Sequence, residues 1–238
     1  MNSFDHPAIP PQTLLIDADD TLWENNIYFE QAIASFIAYL NHHAYTREEV
    51  REQLNRAERE TIRTHGYGLA SFRRSLVDCF EQLSTEPISE EKHQRILSFA
   101  QAIADQEIEL LEGVRESLPA LASRHHLILM TKGNRDEQTD KLARSGIAEY
   151  FQAVEIPHEK DPASYIEVCK RHNLTCDSTW MIGNSPRSDI NPALAAGLHA
   201  VLLHHPHTWI LEHEVVNPAP AGQRFLELNG FASLLQHF

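Results

Sequence analysis

Two carboxylates stand two residues apart directly after a short apolar segment near the start of the chain. Leu14–Ile16 have the branched, apolar character of a buried parallel strand, and the strand is followed at once by Asp17. Ligands of open α/β sheets bind beyond the carboxyl ends of the strands, so Asp17 and Asp19 would project into the crevice where chemistry takes place, which suits phosphoryl transfer. Acids after a strand also serve as turn formers or helix caps, and this segment alone leaves both interpretations open.

Three later strand ends also carry polar groups. Thr131, Lys132 and Gly133 offer a hydroxyl and backbone amides just before a helix, which suits a phosphate oxygen. Lys160 follows the next predicted strand, and residues 183–189 form a glycine turn that ends in an acid. Each group alone is also typical of a helix cap or of solvated surface. The pattern is specific because a carboxylate pair, a threonine, a lysine and an acid follow one another at four successive strand ends.

The elements that would position these residues alternate between strands and helices after Gly113. The predicted strands are His126–Met130, Gln152–Ile156, Thr179–Ile182, Ala200–Leu203 and an edge strand over Arg224–Leu228. The predicted helices are Val114–Ser123, Arg135–Arg144, Ala163–Arg171, Asp189–Ala196 and a closing helix over Phe231–Phe238. This alternation predicts a parallel α/β sheet.

The chain from Glu24 to about Leu111 has helical periodicity and no convincing strand. The predicted helices are Ile27–Leu40, one opened by a capping box of Thr46 and Glu49, Leu69–Leu83, and a fourth running to Leu111. Four such helices can pack as a small bundle. The predicted fold class is therefore α/β, a Rossmann-like parallel sheet core with an inserted all-helical domain. Residues 1–22 and 113–238 would form the core, and residues 23–112 the helical domain.

Composition and charge exclude several classes of partner. The 238 residues include 20 Lys and Arg against 34 Asp and Glu, a net charge of −14, which argues against nucleic acid and against an anionic membrane. The three cysteines include no CxxC pair, so neither a disulfide framework nor a zinc site is indicated. The sequence shows no basic-then-apolar leader and no apolar run of membrane-spanning length, which predicts a cytoplasmic protein.

The joint pattern resembles the haloacid dehalogenase superfamily of phosphatases. Asp17-x-Asp19-x-Thr21 matches its first motif, Thr131 its second, Lys160 its third, and residues 183–189 its fourth. The resemblance covers essentially the whole chain. It implies that residues 23–112 form a mobile cap, because the family carries a helical insert between its first and second motifs.

The resemblance also implies a role for each motif. Asp17 would attack phosphorus to give an aspartyl-phosphate, and Asp19 would protonate the leaving oxygen and later deprotonate water. Thr131 and the amides of Lys132 and Gly133 would hold the phosphoryl oxygens. Lys160 would neutralise charge on Asp17 and on the transferring group.

A magnesium ion is the cofactor that the resemblance implies. Its ligands would be Asp17, the carbonyl of Asp19, Asn184 and Asp189. Asn184 departs from the family pattern, since many members carry an aspartate there, and this loss of charge predicts weaker Mg²⁺ binding rather than none. Trp23 and Asn25 follow the first motif directly and are candidate substrate contacts. A histidine cluster at 204, 205 and 207 could ligate a transition metal, but chance clustering among 15 histidines is the preferred interpretation.

The preferred function is a Mg²⁺-dependent phosphatase for a small phosphorylated metabolite, acting as a monomer or homodimer. A 2-haloacid dehalogenase is an alternative, although its chemistry does not require an acid at Asp19. A phosphomutase and a catalytically weakened phosphate-binding relative are further alternatives within the same superfamily. A phosphorylatable receiver domain fits less well, because it needs only about half of this length and has no large helical insert.

Overall fold

The computed structural model describes residues 10–40, 44–84 and 87–238, and this part of the chain forms two compact units. We call the first the sheet unit; it comprises the described part of Met1–Glu24 together with Glu109–Thr131 and Ser145–Phe238. We call the second the helical unit; it comprises the described part of Asn25–Ile108 together with Lys132–Arg144.

The sheet unit contains a six-stranded sheet in which every neighbouring pair is parallel. Its strands are β1 (Thr13–Ile16), β2 (His126–Met130), β3 (Ala153–Glu155), β4 (Thr179–Gly183), β5 (His199–Leu203) and β6 (Phe225–Leu228). The order across the sheet is β3-β2-β1-β4-β5-β6, which confirms the predicted parallel α/β core and places the last strand at an edge. The helices of this unit are α5 (Val114–Arg124), α7 (Pro162–Arg171) and α8 (Asn191–Ala195).

The strand β1 lies at the centre of the sheet because its side chains are apolar on both faces. Leu14, Leu15 and Ile16 are completely buried, as expected for a parallel strand covered on both sides. Ile16 pairs with Leu129 of β2 and with Ile182 of β4. This register brings the carboxyl ends of three strands to one edge, directly before Asp17, Thr131 and Asn184.

The segment after β4 differs from the predicted helix Asp189–Ala196. The structure has a π-helical turn over Pro186–Ile190, followed by the short helix α8. Pro192 has no N–H to donate to the carbonyl of Ser188, four residues earlier, so an α-helix cannot continue through this position with all its bonds. The hydroxyl of Tyr165 instead donates to Ser188 O over 2.8 Å.

Two other helix ends also differ from the prediction. The fourth helix of the insert ends at Ala104 rather than Leu111, because residues 109–111 are extended and Leu110 bridges to Trp23. The closing helix is a 3-10 helix over Phe231–Gln236 rather than an α-helix to Phe238.

The helical unit consists of α1 (Asn26–Leu40), α2 (Arg47–His65), α3 (Leu69–Leu83), α4 (Glu90–Ala104) and most of α6 (Arg135–Ser145). The predicted capping box is present, since Thr46 Oγ1 accepts from Glu49 N and Glu49 Oε2 accepts from Thr46 N. None of the helices in the described part of the chain is long and apolar enough to cross a membrane.

The helix α6 groups with the helical unit, whereas the sequence placed it in the second part of the core. Two contacts account for this difference. Both carboxylate oxygens of Glu137 accept from Leu69 N at the start of α3, over 3.1 Å, and Lys141 Nζ donates to Asn25 Oδ1 over 2.8 Å. Gly68, at the N-cap of α3, has no side chain to cap the helix, so Glu137 provides the acceptor.

A buried carboxyl group lies in the apolar core of the helical unit. Glu58 on α2 is 5% exposed, and its Oε2 has no hydrogen-bond partner among the described residues. Burial is the main reason that the pKa of Glu58 rises from its ordinary value of 4.5 to about 7; Glu30 adds to the rise, and Arg51 and Arg59 oppose it. Arg51 donates two hydrogen bonds to Glu30, of 2.6 and 2.7 Å, so its charge stabilises an ionised Glu58 only in part.

Replacing Glu58 with glutamine is therefore expected to stabilise the protein at high pH. The folded-state pKa lies above the unfolded one, so the proton on Glu58 favours the folded state below about pH 4.5, and this contribution is lost as the pH rises through 7. The loss amounts to about 3 kcal/mol at most. Urea unfolding should show that the free energy of unfolding of Glu58→Gln, relative to that of the wild type, is higher at pH 8 than at pH 5. Glu52→Gln, on the exposed face of α2, should show no such gain, and an equal effect of Glu58→Gln at both pH values would contradict the expectation.

Candidate active site

The turn after β1 folds back on itself, so that the hydroxyl of Thr21 reaches the carboxylate of Asp17. Asp17 N donates to Ile182 O of β4 over 2.9 Å, and the amides of Thr21 and Leu22 both donate to Ala18 O. Asp20 supports the reversal with a left-handed φ of 58°, a conformation that aspartate tolerates better than most residues. The turn brings Thr21 Oγ1 to within 3.1 Å of Asp17 Oδ2, to which it donates.

Lys160 joins the first and fourth motifs. Its Nζ donates to Asp17 Oδ1 and, over 2.7 Å, to Asp189 Oδ1. The side chains of Lys160 and Asp189 are 2% and 1% exposed, so this cluster is shielded from water. Burial raises the pKa of Asp17 to about 7 against the opposing effect of Lys160, and burial also raises the pKa of Asp189. Two carboxylates share one ammonium, so the cluster favours a further positive charge.

The fourth motif requires glycine at residue 183, because the carboxylate of Asp189 lies where a β-carbon would be. A Cβ built on Gly183 would lie 2.9 Å from Asp189 Cβ and closer still to its carboxylate. Ser185 N donates to Asp189 Oδ2 over 2.9 Å and leaves Oδ1 to Lys160. Gly183 at the end of β4 and the π-helical turn that follows it thus hold Asp189 against the edge of the sheet.

The amide of Asn184 is oriented by its neighbours. Asn184 Nδ2 donates to Thr208 Oγ1 over 3.1 Å, while Thr208 Oγ1 itself donates to His205 O over 3.2 Å. With its proton used in this way, the threonine hydroxyl can only accept from residue 184, which an asparagine satisfies and an aspartate does not. Asn184 Oδ1 consequently faces Thr21 Oγ1, at 3.3 Å, next to Asp17.

The loop after β5 supports the fourth motif through residues that the sequence analysis did not single out. Glu212, which is 9% exposed, accepts from Ser185 Oγ over 2.5 Å and from Ser188 Oγ. Thr208 lies in the same loop. Both could have been suspected because β5 is a fifth strand whose carboxyl end lies at the same edge of the parallel sheet, but the spacing along the chain gives no sign of the contacts.

Asp19, the second acid of the first motif, contacts Trp23, which lies four residues further along the chain. Trp23 is completely buried, and its Nε1 donates to Asp19 Oδ1 over 2.7 Å. Trp23 was expected to touch substrate; in the structure its indole instead lies against this carboxylate. Thr131 is also buried at the end of β2, where its amide donates to Glu155 O over 3.1 Å.

Three of the predicted substrate-binding residues belong to the helical unit. Asn25 Oδ1 accepts from Lys141, as described above, and Lys132 Nζ lies 3.1 Å from Tyr67 Oη and 4.6 Å from the centre of its ring. Gly133 has a φ of 140°, a left-handed value that favours glycine. The structure thus brings Asp17, Thr21, Lys160, Asn184 and Asp189 into one network, with Asp19 and Thr131 on adjoining strand ends.

A second group of possible metal ligands consists of Asp20, Glu24 and His205, whose ligand atoms lie within 4.8 Å of one another. His205 Nε2 lies 3.3 Å from Glu24 Oε2, and its Nδ1 accepts from His207 N over 3.3 Å. Both ring nitrogens of His205 thus face groups of the protein itself. His204 faces Glu227 and His213 faces the carbonyl of Thr208, so these two histidines contact protein groups elsewhere.

Comparisons with known proteins agree with this arrangement. Residues 14–203 match the family model of haloacid dehalogenase-like hydrolases. Human N-acylneuraminate-9-phosphatase is 28% identical over 116 residues, which cover 47% of this chain and 44% of the human protein. The matched chain thus spans less than half the length of that curated relative.

Solved structures give the same picture of the fold. A haloacid dehalogenase-like family hydrolase from Xanthomonas campestris is similar with a TM-score of 0.80 at 28% identity, over 96% of this chain and 94% of the other. A 2-haloacid dehalogenase from Pseudomonas syringae pv. tomato has a TM-score of 0.61 at 20% identity, over 95% and 97%, a likeness of fold alone. Because the family match runs from β1 through β5 and so includes all four motifs, the chain belongs to the haloacid dehalogenase-like hydrolases, a hydrolase family whose members include phosphatase relatives of this chain.

Proposed function

We propose that this hydrolase is a Mg²⁺-dependent phosphatase that cleaves a small phosphorylated metabolite through an aspartyl-phosphate. The observation that carries the proposal is the buried network in which Lys160 bridges Asp17 and Asp189 at the carboxyl edge of the sheet. A nucleophilic carboxylate must be ionised to attack, and the ammonium of Lys160 favours the ionised form of Asp17 by opposing the effect of burial on its pKa.

The proposed reaction has two displacements at phosphorus. A carboxylate oxygen of Asp17 bonds to phosphorus while the ester bond to the leaving oxygen breaks, and Asp19 gives its proton to that oxygen. Asp19 then takes a proton from water, whose oxygen attacks phosphorus and releases inorganic phosphate and the free carboxylate of Asp17. Two acids are needed because one becomes esterified while the other transfers the proton.

The residues present fit a magnesium ion. Its ligands would be Asp17, Asp189, the amide oxygen of Asn184 and the backbone carbonyl of Asp19, an all-oxygen set of the kind Mg²⁺ prefers. Two buried carboxylates with one lysine leave net negative charge in the cluster, and Asn184 already presents its oxygen to this side. When bound, the ion supplies charge neutralisation for the phosphoryl oxygens.

The remaining predicted residues would bind the rest of the substrate. We assign the phosphoryl oxygens to the hydroxyl of Thr131, the amides of Lys132 and Gly133, and the ammonium of Lys160. Asn25 and the other residues of the inserted segment 23–112 are proposed to select the leaving group. The net charge of −14 supports a small-molecule substrate rather than a nucleic acid. The proposed location of the enzyme is the cytoplasm.

The relatives support a phosphatase more strongly than a dehalogenase. The human relative acts on a phosphorylated small molecule by its name, whereas the dehalogenase from Pseudomonas syringae is similar in fold alone. Asp19 also favours the phosphatase, because a dehalogenase releases a halide that needs no proton. Fold alone does not decide between the two reactions.

The experiment that tests the proposal measures two products from one enzyme preparation. Inorganic phosphate is measured from a panel of phosphorylated sugars, phosphorylated acids and p-nitrophenyl phosphate, with Mg²⁺ and with EDTA. Chloride is measured in parallel from 2-chloropropionate. We expect phosphate release that depends on Mg²⁺ and no chloride release. Chloride release without phosphate release would replace the proposal with a dehalogenase.

A further inference from the structure

The indole of Trp23 is a buried donor aimed at the second acid of the first motif. Its Nε1 lies 2.7 Å from Asp19 Oδ1, and no part of the Trp23 side chain is exposed. The backbone fixes the residue from both sides, because Trp23 O accepts from Asp20 N over 2.8 Å and Trp23 pairs with Leu110 in an antiparallel bridge. The backbone of Trp23 is therefore fixed in the turn that carries Asp19, and the complete burial of the indole restricts its rotation away from the acid.

An indole N–H donates and cannot accept. A carboxyl oxygen that receives this hydrogen bond cannot also carry a proton directed at the indole, since two hydrogens would then face each other. Because the carbonyl oxygen of a carboxylic acid is the better acceptor, this hydrogen bond favours the form of protonated Asp19 in which the proton lies on Oδ2. A side chain that acts as an acid in one step and as a base in the next benefits from this restriction, because the same oxygen then gives and takes the proton.

We propose that Trp23 is a positioning residue that fixes the carboxyl group of Asp19 and assigns proton transfer to its Oδ2. The proposal rests on the proposed phosphatase function. The indole is suited to this task because it is rigid and uncharged: it holds Asp19 without placing a second cation near Asp17 and Lys160. This role replaces the substrate contact expected from the sequence.

The test compares two substrates that differ in their need for an acid. An alkyl phosphate has a basic leaving oxygen that must be protonated, whereas p-nitrophenolate leaves without a proton. For Trp23→Phe we expect kcat/KM for the alkyl phosphate to fall about 10- to 100-fold, which is less than most of the roughly 10²- to 10⁴-fold that a general acid contributes, because Asp19 itself remains. The value for p-nitrophenyl phosphate should fall less than about 3-fold. An equal fall for both substrates would show a structural role only and would overturn the proposal.

Trp180 provides a matched control. It is 2% exposed, lies at the opposite end of the sheet in β4, and its Nε1 also donates to a side-chain oxygen, Gln12 Oε1, over 3.3 Å. Trp180→Phe removes the same group from the same unit and should leave the ratio of the two kcat/KM values unchanged. A changed ratio in Trp180→Phe would show that the loss of a buried indole elsewhere in this unit has the same effect, and would overturn the assignment of the Trp23 effect to Asp19.

Two further measurements keep the test decisive. Site-specific replacement of Trp23 by β-(3-benzothienyl)alanine keeps the shape of the indole and exchanges only its N–H for sulfur, so it answers the question even where Trp23→Phe unfolds. Adding Trp23→Phe to Asp19→Asn should cause no further loss on the alkyl phosphate, because the acid is already absent; a fully additive loss would overturn the proposal. A wild type that hydrolyses neither phosphate would reject the phosphatase function, whereas an active wild type with an unchanged ratio in both Trp23 variants would reject only the role of Trp23.

Discussion

Asp17→Asn is expected to lower phosphate release by at least about 10⁴-fold, because an amide cannot form the proposed ester with phosphorus. The fold should survive the change. Lys160 keeps Asp189 at 2.7 Å, and Thr21 can still donate to the amide oxygen of the new residue. The substitution also removes a buried carboxylate whose pKa is raised to about 7 by burial, so the loss of its ion pair is partly offset. The measurement is steady-state phosphate release with Mg²⁺, together with thermal unfolding followed by circular dichroism.

Asp161→Asn is the matched control for this prediction. Asp161 is exposed at the N-cap of α7, one residue from Lys160, and its side chain accepts from Ser164 N over 2.8 Å. Asparagine caps helices as well as aspartate does, so activity and stability should both remain close to wild type. Residual turnover by Asp17→Asn within 10-fold of the wild type would rule out Asp17 as the nucleophile.

Gly183→Ala is expected to disrupt both the fold and the site. The added methyl group would lie 2.9 Å from Asp189 Cβ and closer still to the carboxylate, inside a part of the sheet unit where Asp189 is completely buried. Moving Asp189 breaks its bonds to Ser185 N and to Lys160. Overpacking and the loss of a buried ion pair together should lower the free energy of unfolding by at least about 3 kcal/mol. Activity should fall at least about 100-fold, because proposed ligands of the metal are displaced.

Gly230→Ala gives the corresponding control. A Cβ at Gly230 would meet no atom within 4 Å, and its φ of 178° is extended backbone that any residue adopts. Its effect on the free energy of unfolding should stay within about 0.5 kcal/mol. Urea unfolding of the two variants side by side isolates the clash with Asp189 from the general cost of adding a methyl group. Similar stability of both variants would show that the Asp189 loop can move aside.

Local sequence determined the parts of this protein that depend on neighbouring residues. The apolar runs of β1, β2, β4 and β5 specify buried strands, and the strand–helix alternation predicts a parallel sheet that the structure confirms. The capping box of Thr46 and Glu49 was likewise readable from spacing alone. The candidate site could be predicted in outline, because the carboxyl ends of parallel strands meet at one edge and the motif residues stand at those ends.

Other features of the same site depend on contacts between residues far apart in the sequence. Thr208 orients Asn184 and Glu212 holds the serines of the fourth motif, yet each lies more than 20 residues from its partner, with no periodicity to connect them. The assignment of α6 to the helical unit follows from Glu137 and Leu69, which are 68 residues apart. Sequence patterns report the preference of a segment for one conformation, whereas these contacts are decided by which strand ends and loops come to lie side by side.

Trp23 shows most clearly the difference between what the sequence determines and what tertiary structure determines. Its position after the first motif marked it as functional, but a tryptophan next to an active site can face a ligand or support a catalytic group, and both are compatible with the sequence. Complete burial of the side chain and the 2.7 Å bond to Asp19 arise only when the turn closes and Leu110 pairs with it. The sequence by itself determined which residues could do chemistry; tertiary structure decided which of them are held in place by others, because burial and hydrogen-bond partners exist only in the folded chain.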